Sequence, residues 1–366
     1  MMQGDTTGER VGASGGRGAP WLRLVALVAL AAGLRLIQLA ALPASFFEQA
    51  ALDVVAQDIG TAWRVASLAG APLAGALFWL NAQWFELPLL GPRLMVVIMS
   101  ALLLPLLWLA SAHTLGWGAA TLALLLLTTA PAAVAAAQQA TPGALALAVL
   151  PLAFIAYAQL AQRGSVRAWA LFGVAGVLLT QCWFPSAALV LAQLLALLLG
   201  VRRERRVEVL IGGLLCTLLL GLILVPTLNS WQRPDLLLNG TASLGQIGRE
   251  IELLLLGDML PGMLRLLAFG GIAAAVGCAL IDTRRYSGLL PHLLMIVAVV
   301  ALAGFGLPDG AGALALLALP SLLVVIASGL SSLAGLRFCW PLAAVFTAVL
   351  LTVHFMRLVG YYLDFV

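Results

Sequence analysis

The acidic residue Glu48 stands in a segment whose pattern predicts a short surface helix. The stretch from Ser45 to Gly60 reads SFFEQAALDVVAQDIG and is typical of a helix that ends at a glycine. At about 100° per residue, its apolar side chains gather on one face. Glu48 falls within that apolar face, whereas Asp53 lies on the polar stripe. A carboxylate turned towards a membrane or a helix bundle is costly, so we expect it to have a role.

Two roles suit Glu48, and they are compatible with each other. The sequence Ser45-x-x-Glu48 matches a capping box, in which the glutamate accepts a hydrogen bond from the amide of the N-cap residue. A carboxylate held over a membrane-embedded cavity can instead act as a general base. For that catalytic role Glu48 is the first candidate and Asp53 is the second.

The other residues with chemical potential do not form a metal or redox motif. The cysteines are far apart, and no CxxC or Cys/His spacing occurs, so we expect inert thiols. The histidines have no acidic neighbours in sequence and are predicted to be structural. No motif supports a divalent cation, and the sequence leaves the cofactor requirement unknown. These residues are Cys182, Cys216, Cys278, Cys339, His113, His292 and His354.

The composition excludes a soluble domain. Of 366 residues, 63% are hydrophobic and 9% are charged, whereas about a quarter of a soluble domain is charged. Apolar stretches of roughly 20 residues, the length that crosses a bilayer, recur from end to end. The net charge of +4 does not indicate nucleic acid, because all 19 basic residues are arginines clustered between apolar runs. That pattern orients membrane helices.

The apolar runs predict an all-α, polytopic transmembrane bundle of about eleven spans. Two intervening segments, from Pro43 to Pro92 and from Asn229 to Gly262, are long enough to contain structure of their own. The predicted spans are 22–43, 93–112, 115–131, 143–161, 168–183, 185–200, 208–228, 263–281, 288–306, 311–330 and 338–358.

The arginines are unevenly distributed between alternate loops, which predicts the orientation. If the N-terminus is cytoplasmic, the inner loops contain twelve of the 19 arginines, as the positive-inside rule requires. We therefore expect a multi-pass protein of the cell membrane whose C-terminus lies on the outer side. We divide the chain into a disordered cytoplasmic tail (1–20), a transmembrane core (21–228) that includes an outer loop (44–92), a second outer loop (229–262) and C-terminal transmembrane helices (263–366).

The order of features over residues 22–200 resembles that of the GT-C superfamily of membrane glycosyltransferases, related to protein mannosyltransferases and the lipid A aminoarabinose transferase. In that family a first span ends in an Arg-Leu…Leu-Pro phrase, an Asp-Glu-Ala phrase opens a juxtamembrane helix, and a second such helix precedes an arginine that enters the next span. The corresponding residues here are Arg35-Leu36…Leu42-Pro43, Glu48-Gln49-Ala50 with Gly60, Ala71-Pro72-Leu73, Trp79–Pro88 with Arg93, Ala130-Pro131 before Gln138–Pro142, and Gly176…Thr180…Pro185.

The chain also departs from the family pattern. The first carboxylate of the family is normally aspartate and is Glu48 here, and the adjacent acid is Gln49. The histidine and first proline of the family's His-Pro-Pro phrase are absent, and glutamines replace the arginine of the fourth-span region. The sequence ends at Val366, just after its last span, so we expect no soluble C-terminal domain.

The resemblance implies transfer of a sugar from a polyprenyl-phosphate donor to an acceptor on the outer face. It assigns a catalytic carboxylate, Glu48 or Asp53, which would take the proton of the acceptor hydroxyl. The departing phosphate would be bound by outer arginines, since the guanidinium group suits phosphate oxygens. The candidates for that binding are Arg64, Arg93 and Arg249.

Arg35 is expected to be the most costly arginine, because it lies inside the first span. It is predicted either to pair with an acid in the bundle or to extend to the outer surface.

Two other functions remain open. The altered motifs are also those expected of a non-catalytic membrane subunit, a pseudo-enzyme on the same scaffold. A transporter is less favoured, because it predicts an internal repeat and intramembrane acids, whereas the acids here cluster in the outer loops. Membrane lipids and a polyprenyl-phosphate-linked sugar are the expected partners, with no nucleic acid. The sequence does not identify protein partners.

Overall fold

The described part of the chain is entirely helical apart from turns and short connections. The computed structural model describes residues 19–45, 48–49, 56, 58–68, 70–200, 205–230, 244–256, 261–282, 286–304, 310–336 and 338–363. Its α-helices are α1 (Ala19–Leu36), α2 (Ile59–Leu68), α3 (Pro72–Phe85), α4 (Leu90–Leu115), α5 (Trp117–Thr129), α6 (Pro131–Ala137), α7 (Pro142–Arg163), α8 (Val166–Cys182), α9 (Ala187–Gly200), α10 (Arg206–Ser230), α11 (Leu244–Leu255), α12 (Gly262–Ile281), α13 (Tyr286–Gly304), α14 (Gly310–Gly335) and α15 (Trp340–Leu363).

Each of the eleven predicted spans coincides with one of these helices, and the prediction of a polytopic helical membrane bundle is confirmed. Within the described residues, six helices are long and apolar enough to cross a bilayer by themselves, and a seventh span results if α5 and α6 are counted together. Three shorter apolar helices correspond to α8, α9 and α13.

The predicted span 115–131 corresponds to α5, and the chain bends sharply at the end of this helix. Helix α5 stops at Thr129, and α6 begins at Pro131 at an angle of 62° to it. Ala130 between them has an extended backbone with φ −62° and ψ 118°. A residue before proline disfavours the helical conformation, which explains the position of the break.

Two helices form the centre of the bundle. In the most apolar stretches of α7 and α14, 78% of the residues are buried within the protein, compared with 17% in α10 and 22% in α12. Helix α7 packs on α4 and α8, and α14 packs on α5, α12 and α13. A side chain at Gly329 of α14 would overlap the carbonyl of Ala275 in α12, so these two backbones are in contact. The outer helices expose leucines such as Leu222 and Leu266, as lipid-facing helices do.

Most of the helix predicted from Ser45 to Gly60 lies outside the described residues, and two described helices of the first outer loop, α2 and α3, begin and end at other residues than predicted. Gly60 was expected to end a helix, but it lies near the start of α2. The Asp58 carboxylate caps that start, because it accepts hydrogen bonds from the amides of Gly60 and Thr61 at 2.9 and 3.1 Å. The second helix was expected over Trp79–Pro88, whereas α3 begins at Pro72 and ends at Phe85. Proline is favoured in the first turn of a helix, which accounts for the earlier start.

Candidate functional site

Side chains from two other helices and from a residue that follows a third helix bind the C-terminal end of α1. The last carbonyls of a helix have no partner within it, and α1 is followed by a turn in which Gln38 has a φ of +55°. Six carbonyl groups here accept hydrogen bonds from side chains of α4, of α15 and of the residue that follows α6: those of Leu34, Arg35, Ile37, Leu39, Leu42 and Pro43. The first span is therefore fixed to the bundle by polar contacts at this end.

Arg93 in the first turn of α4 makes three of these six contacts. Its Nη1 donates to the carbonyls of Leu39 and Leu42 at 3.0 and 2.8 Å, and its Nη2 donates to that of Pro43 at 2.9 Å. Its Nε and Nη2 donate to the two oxygens of Glu48, both at 2.8 Å. A guanidinium group has five N–H donors, so all five of Arg93 are used.

Glu48 is bound from three directions. Besides Arg93, the amide of Ala140 donates to Oε1 at 2.7 Å, and the amide of Ser45 donates to Oε2 at 3.0 Å. The Ser45 hydroxyl accepts from the Glu48 amide at 3.3 Å, so both bonds of the expected capping box are present. Glu48 and Arg93 are each 1% exposed. We call this ion pair and its amide donors the Glu48–Arg93 lock.

The lock keeps the Glu48 carboxyl ionised. Burial by itself raises the pKa of this carboxyl. The hydrogen bonds from Arg93, Ser45 and Ala140, together with the charge of Arg93, outweigh burial and hold the pKa below its ordinary value. In this arrangement each carboxylate oxygen already accepts two hydrogen bonds, so the group is not placed to take a proton from a substrate.

A second group of side chains, which the sequence did not assign to the site, lies beside the lock. The Gln138 amide donates to the carbonyls of Arg35 and Ile37 at 3.0 and 2.9 Å. The Tyr361 hydroxyl donates to Gln138 Oε1 at 2.8 Å, and the Tyr362 hydroxyl donates to the Leu34 carbonyl. The sequence signal for this group was the pair of tyrosines at the end of the last apolar run, because buried tyrosine hydroxyls usually find a hydrogen-bond partner.

The structure brings together two of the five predicted site residues. Glu48 and Arg93 are paired, whereas Arg64 on α2 and Arg249 on α11 are exposed and share no described contact with them. Asp53 lies outside the described residues. Within the described ranges, no group of three or more His, Cys, Asp or Glu side chains could bind a metal ion.

In the part of the chain that the structure describes, Arg35 takes neither of the two arrangements predicted for it. Its side chain points back along α1, where Nη1 donates to the Ala31 carbonyl at 3.0 Å, and the residue is only 2% exposed. It therefore does not extend to the surface. It is also absent from the ion pairs of the described residues, which join Arg93 to Glu48, Arg205 to Glu208 and Arg265 to Glu252.

Comparison with known proteins shows a similarity in fold to a solved structure. Neither a family model nor a curated protein matches the sequence. The fold is similar to the crystal structure of ArnT from Cupriavidus metallidurans bound to undecaprenyl phosphate, with a TM-score of 0.60 and 18% identity. The similarity covers 91% of this chain and 64% of the ArnT chain, so this chain spans less than two thirds of that protein's length. The fold expected from the sequence resemblance is confirmed: the chain is a multi-pass helical membrane protein with a fold similar to that of ArnT.

Proposed function

We propose that this chain transfers a sugar from a polyprenyl-phosphate carrier to an acceptor at the outer face of the membrane. The observation that supports the proposal most is the shared fold, since the ArnT structure that covers 91% of this chain contains undecaprenyl phosphate. The position of the lock supports it too. In the resemblance over residues 22–200, the carboxylate that opens the first outer loop is the reacting base, and Glu48 occupies that position.

The reaction requires a base and a cation. As the acceptor oxygen forms its bond to the anomeric carbon, the bond from that carbon to the phosphate oxygen breaks, and the acceptor proton passes to a carboxylate. Charge gathers on the departing phosphate, where a guanidinium group can stabilise it. Glu48 and Asp53 are the candidate bases, and Arg64, Arg93 and Arg249 are the candidate phosphate ligands.

Glu48 can serve as that base only after the lock opens. The carrier's phosphate offers oxygens that compete with the carboxylate for Arg93, because arginine binds phosphate and carboxylate with the same pair of N–H groups. A phosphate that took Nη2 of Arg93 would release Oε2 of Glu48 for the acceptor hydroxyl. Binding of the donor would thus activate the base.

A second candidate function is favoured by the saturation of the lock. All five donors of Arg93 and both oxygens of Glu48 are bound within the protein. A pair of this kind is sufficient as a structural joint between α1, α4 and the connection before α7. The chain would then be a non-catalytic subunit that uses the same scaffold to bind the carrier lipid.

Variants in living cells separate the two functions. Glu48→Gln and Asp53→Asn each remove one candidate base, and the double variant Glu48→Gln/Arg93→Gln removes both charges of the lock. Lipid-linked sugars and outer-face glycans are analysed by mass spectrometry, with the amount of protein in the membrane measured in parallel.

The outcomes are distinct for each hypothesis. If Glu48 is the base or Arg93 binds the donor phosphate, the double variant accumulates to normal levels but transfer remains lost. If both residues of the lock are only structural, the double variant restores both protein level and transfer, and Asp53→Asn then decides whether the second candidate is the base. Deletion of the chain with no change in any glycan or lipid-linked sugar contradicts the transferase proposal. Retained binding of undecaprenyl phosphate by the purified chain then favours the non-catalytic subunit.

A further inference from the structure

The guanidinium group of Arg35 is buried and only partly bonded. Side chains on a helix tilt towards its N-terminus, and Arg35 reaches back to the carbonyl of Ala31. Its Nε is buried and has no hydrogen-bond partner among the described residues. The positive charge consequently lies deeper in the bundle than the α-carbon that carries it.

Arg35 lines a small cavity whose other lining residues are almost all apolar. Helices α4, α5, α6, α7 and α14 contribute the remaining wall, which includes Leu104, Ala137, Ala148 and Phe154. The cavity volume is ≈ 30 Å³. Since a water molecule needs about 10–15 Å³ on this measure, the space accommodates roughly two waters.

The charge of Arg35 requires compensation that the described residues do not provide. An unpaired ion in a low-dielectric interior is strongly destabilising. Among the described residues, Glu48 contributes a carboxylate at this end of the bundle, and it is already bound to Arg93. The three ion pairs of the described residues do not include Arg35.

We propose that the cavity beside Arg35 binds a monovalent inorganic anion of the chloride class. A single negative charge balances the single guanidinium group, and Nε is a donor available to it. A chloride ion with one water fits the space of two waters. A phosphate group does not, because each of its four oxygens is nearly as large as a water. The ion would join α1 to α4 and α7, and it is independent of any sugar transfer.

The anion is tested on the full-length chain purified into lipid nanodiscs. Thermal unfolding is followed in sodium chloride, sodium bromide and sodium gluconate at constant ionic strength. We expect the unfolding midpoint to rise with chloride or bromide concentration and to remain constant in gluconate. At a chloride concentration 100 times the Kd, the folded state gains a factor of about 100 over the unfolded state.

Two variants assign the effect to this residue. Arg35→Gln is expected to abolish the difference between chloride and gluconate. Arg167→Gln, which removes an exposed arginine at the start of α8, is expected to retain it. If Arg35→Gln does not fold, chlorine NMR line broadening on the unaltered chain, with bromide as competitor, still tests whether the chain binds chloride.

Three results would overturn the proposal. The first is equal midpoints in chloride and gluconate together with no line broadening. The second is a chloride effect that persists in Arg35→Gln. The third is a stabilisation dependent on Arg35 that undecaprenyl phosphate produces and chloride does not, which would assign the cavity to a lipid phosphate.

Discussion

Replacement of Arg93 by methionine removes the cation of the lock while it keeps a side chain of similar length. Glu48 then remains buried with only the amides of Ser45 and Ala140 as donors. Breaking a buried ion pair at one partner costs about 3–5 kcal/mol. The carbonyls of Leu39 and Leu42, and that of Pro43, lose a donor as well, at about 1–3 kcal/mol for each one that stays dry.

These contributions overlap, because the same local rearrangement can hydrate the carboxylate and the carbonyls together. We therefore expect Arg93→Met to lower the free energy of unfolding by about 4 kcal/mol, near the middle of the range for a broken buried pair. Glu48→Gln leaves Arg93 without its counter-ion, and a similar loss follows. The double variant Glu48→Gln/Arg93→Met has no uncompensated charge, so its loss should fall short of the sum by about 2–3 kcal/mol.

Reversible unfolding in mixed detergent micelles, followed by tryptophan fluorescence, measures the four proteins of this double-mutant cycle. Arg167→Met is a matched control, because it removes an arginine from an exposed position at the start of α8. Its effect should be within about 0.5 kcal/mol of zero. A loss below about 1 kcal/mol for Arg93→Met, or a coupling below about 0.5 kcal/mol, would refute the argument that the lock is a buried and mutually dependent pair.

Three further predictions concern the same end of the molecule. The folded-state pKa of Glu48 is lowered. The stability contributed by the lock should therefore be complete above the pKa of this carboxyl in the unfolded chain, about 4.3, and should be lost as the pH falls through its folded-state pKa. The double variant Glu48→Gln/Arg93→Met should show a flatter dependence of unfolding free energy on pH. Gln138→Ala leaves the carbonyls of Arg35 and Ile37 unpaired and should cost about 1–3 kcal/mol in the same assay, whereas a neutral result would mean that water replaces the amide. A reporter that is active only outside the cytoplasm should be active when fused after Val366, and inactivity there would contradict the predicted orientation of the C-terminus.

The helices were predictable because membrane spans obey a simple length and polarity rule. Each apolar run became a helix, since in a bilayer the backbone must satisfy its own hydrogen bonds. The sharp bend that follows α5 was harder to predict, because a proline beside or inside an apolar run can also be accommodated within a helix, as Pro151 is in α7. The pattern of hydropathy does not distinguish these two outcomes.

The candidate site was predictable only where it is local in sequence. The capping box of Ser45 and Glu48 spans four residues, so its spacing was sufficient evidence. The pairing of Glu48 with Arg93 joins residues 45 positions apart, and Tyr361 meets Gln138 across 223 positions. Such contacts depend on how helices pack, which a single sequence does not contain. The apolar face on which Glu48 was placed nevertheless indicated burial, and the carboxylate is buried.

The two functions proposed for this scaffold place opposite demands on the lock. A permanent joint needs Arg93 and Glu48 to prefer each other over any ligand, and the complete use of their hydrogen-bonding capacity favours that preference. A substrate-activated base needs the carrier's phosphate to win the competition for Arg93, and the released carboxylate must then find the acceptor within reach. Undecaprenyl phosphate should therefore weaken the thermodynamic coupling between Glu48 and Arg93 if the chain is a transferase, and should leave it unchanged if the lock is only structural. The double-mutant cycle, repeated with the lipid present, measures that difference directly.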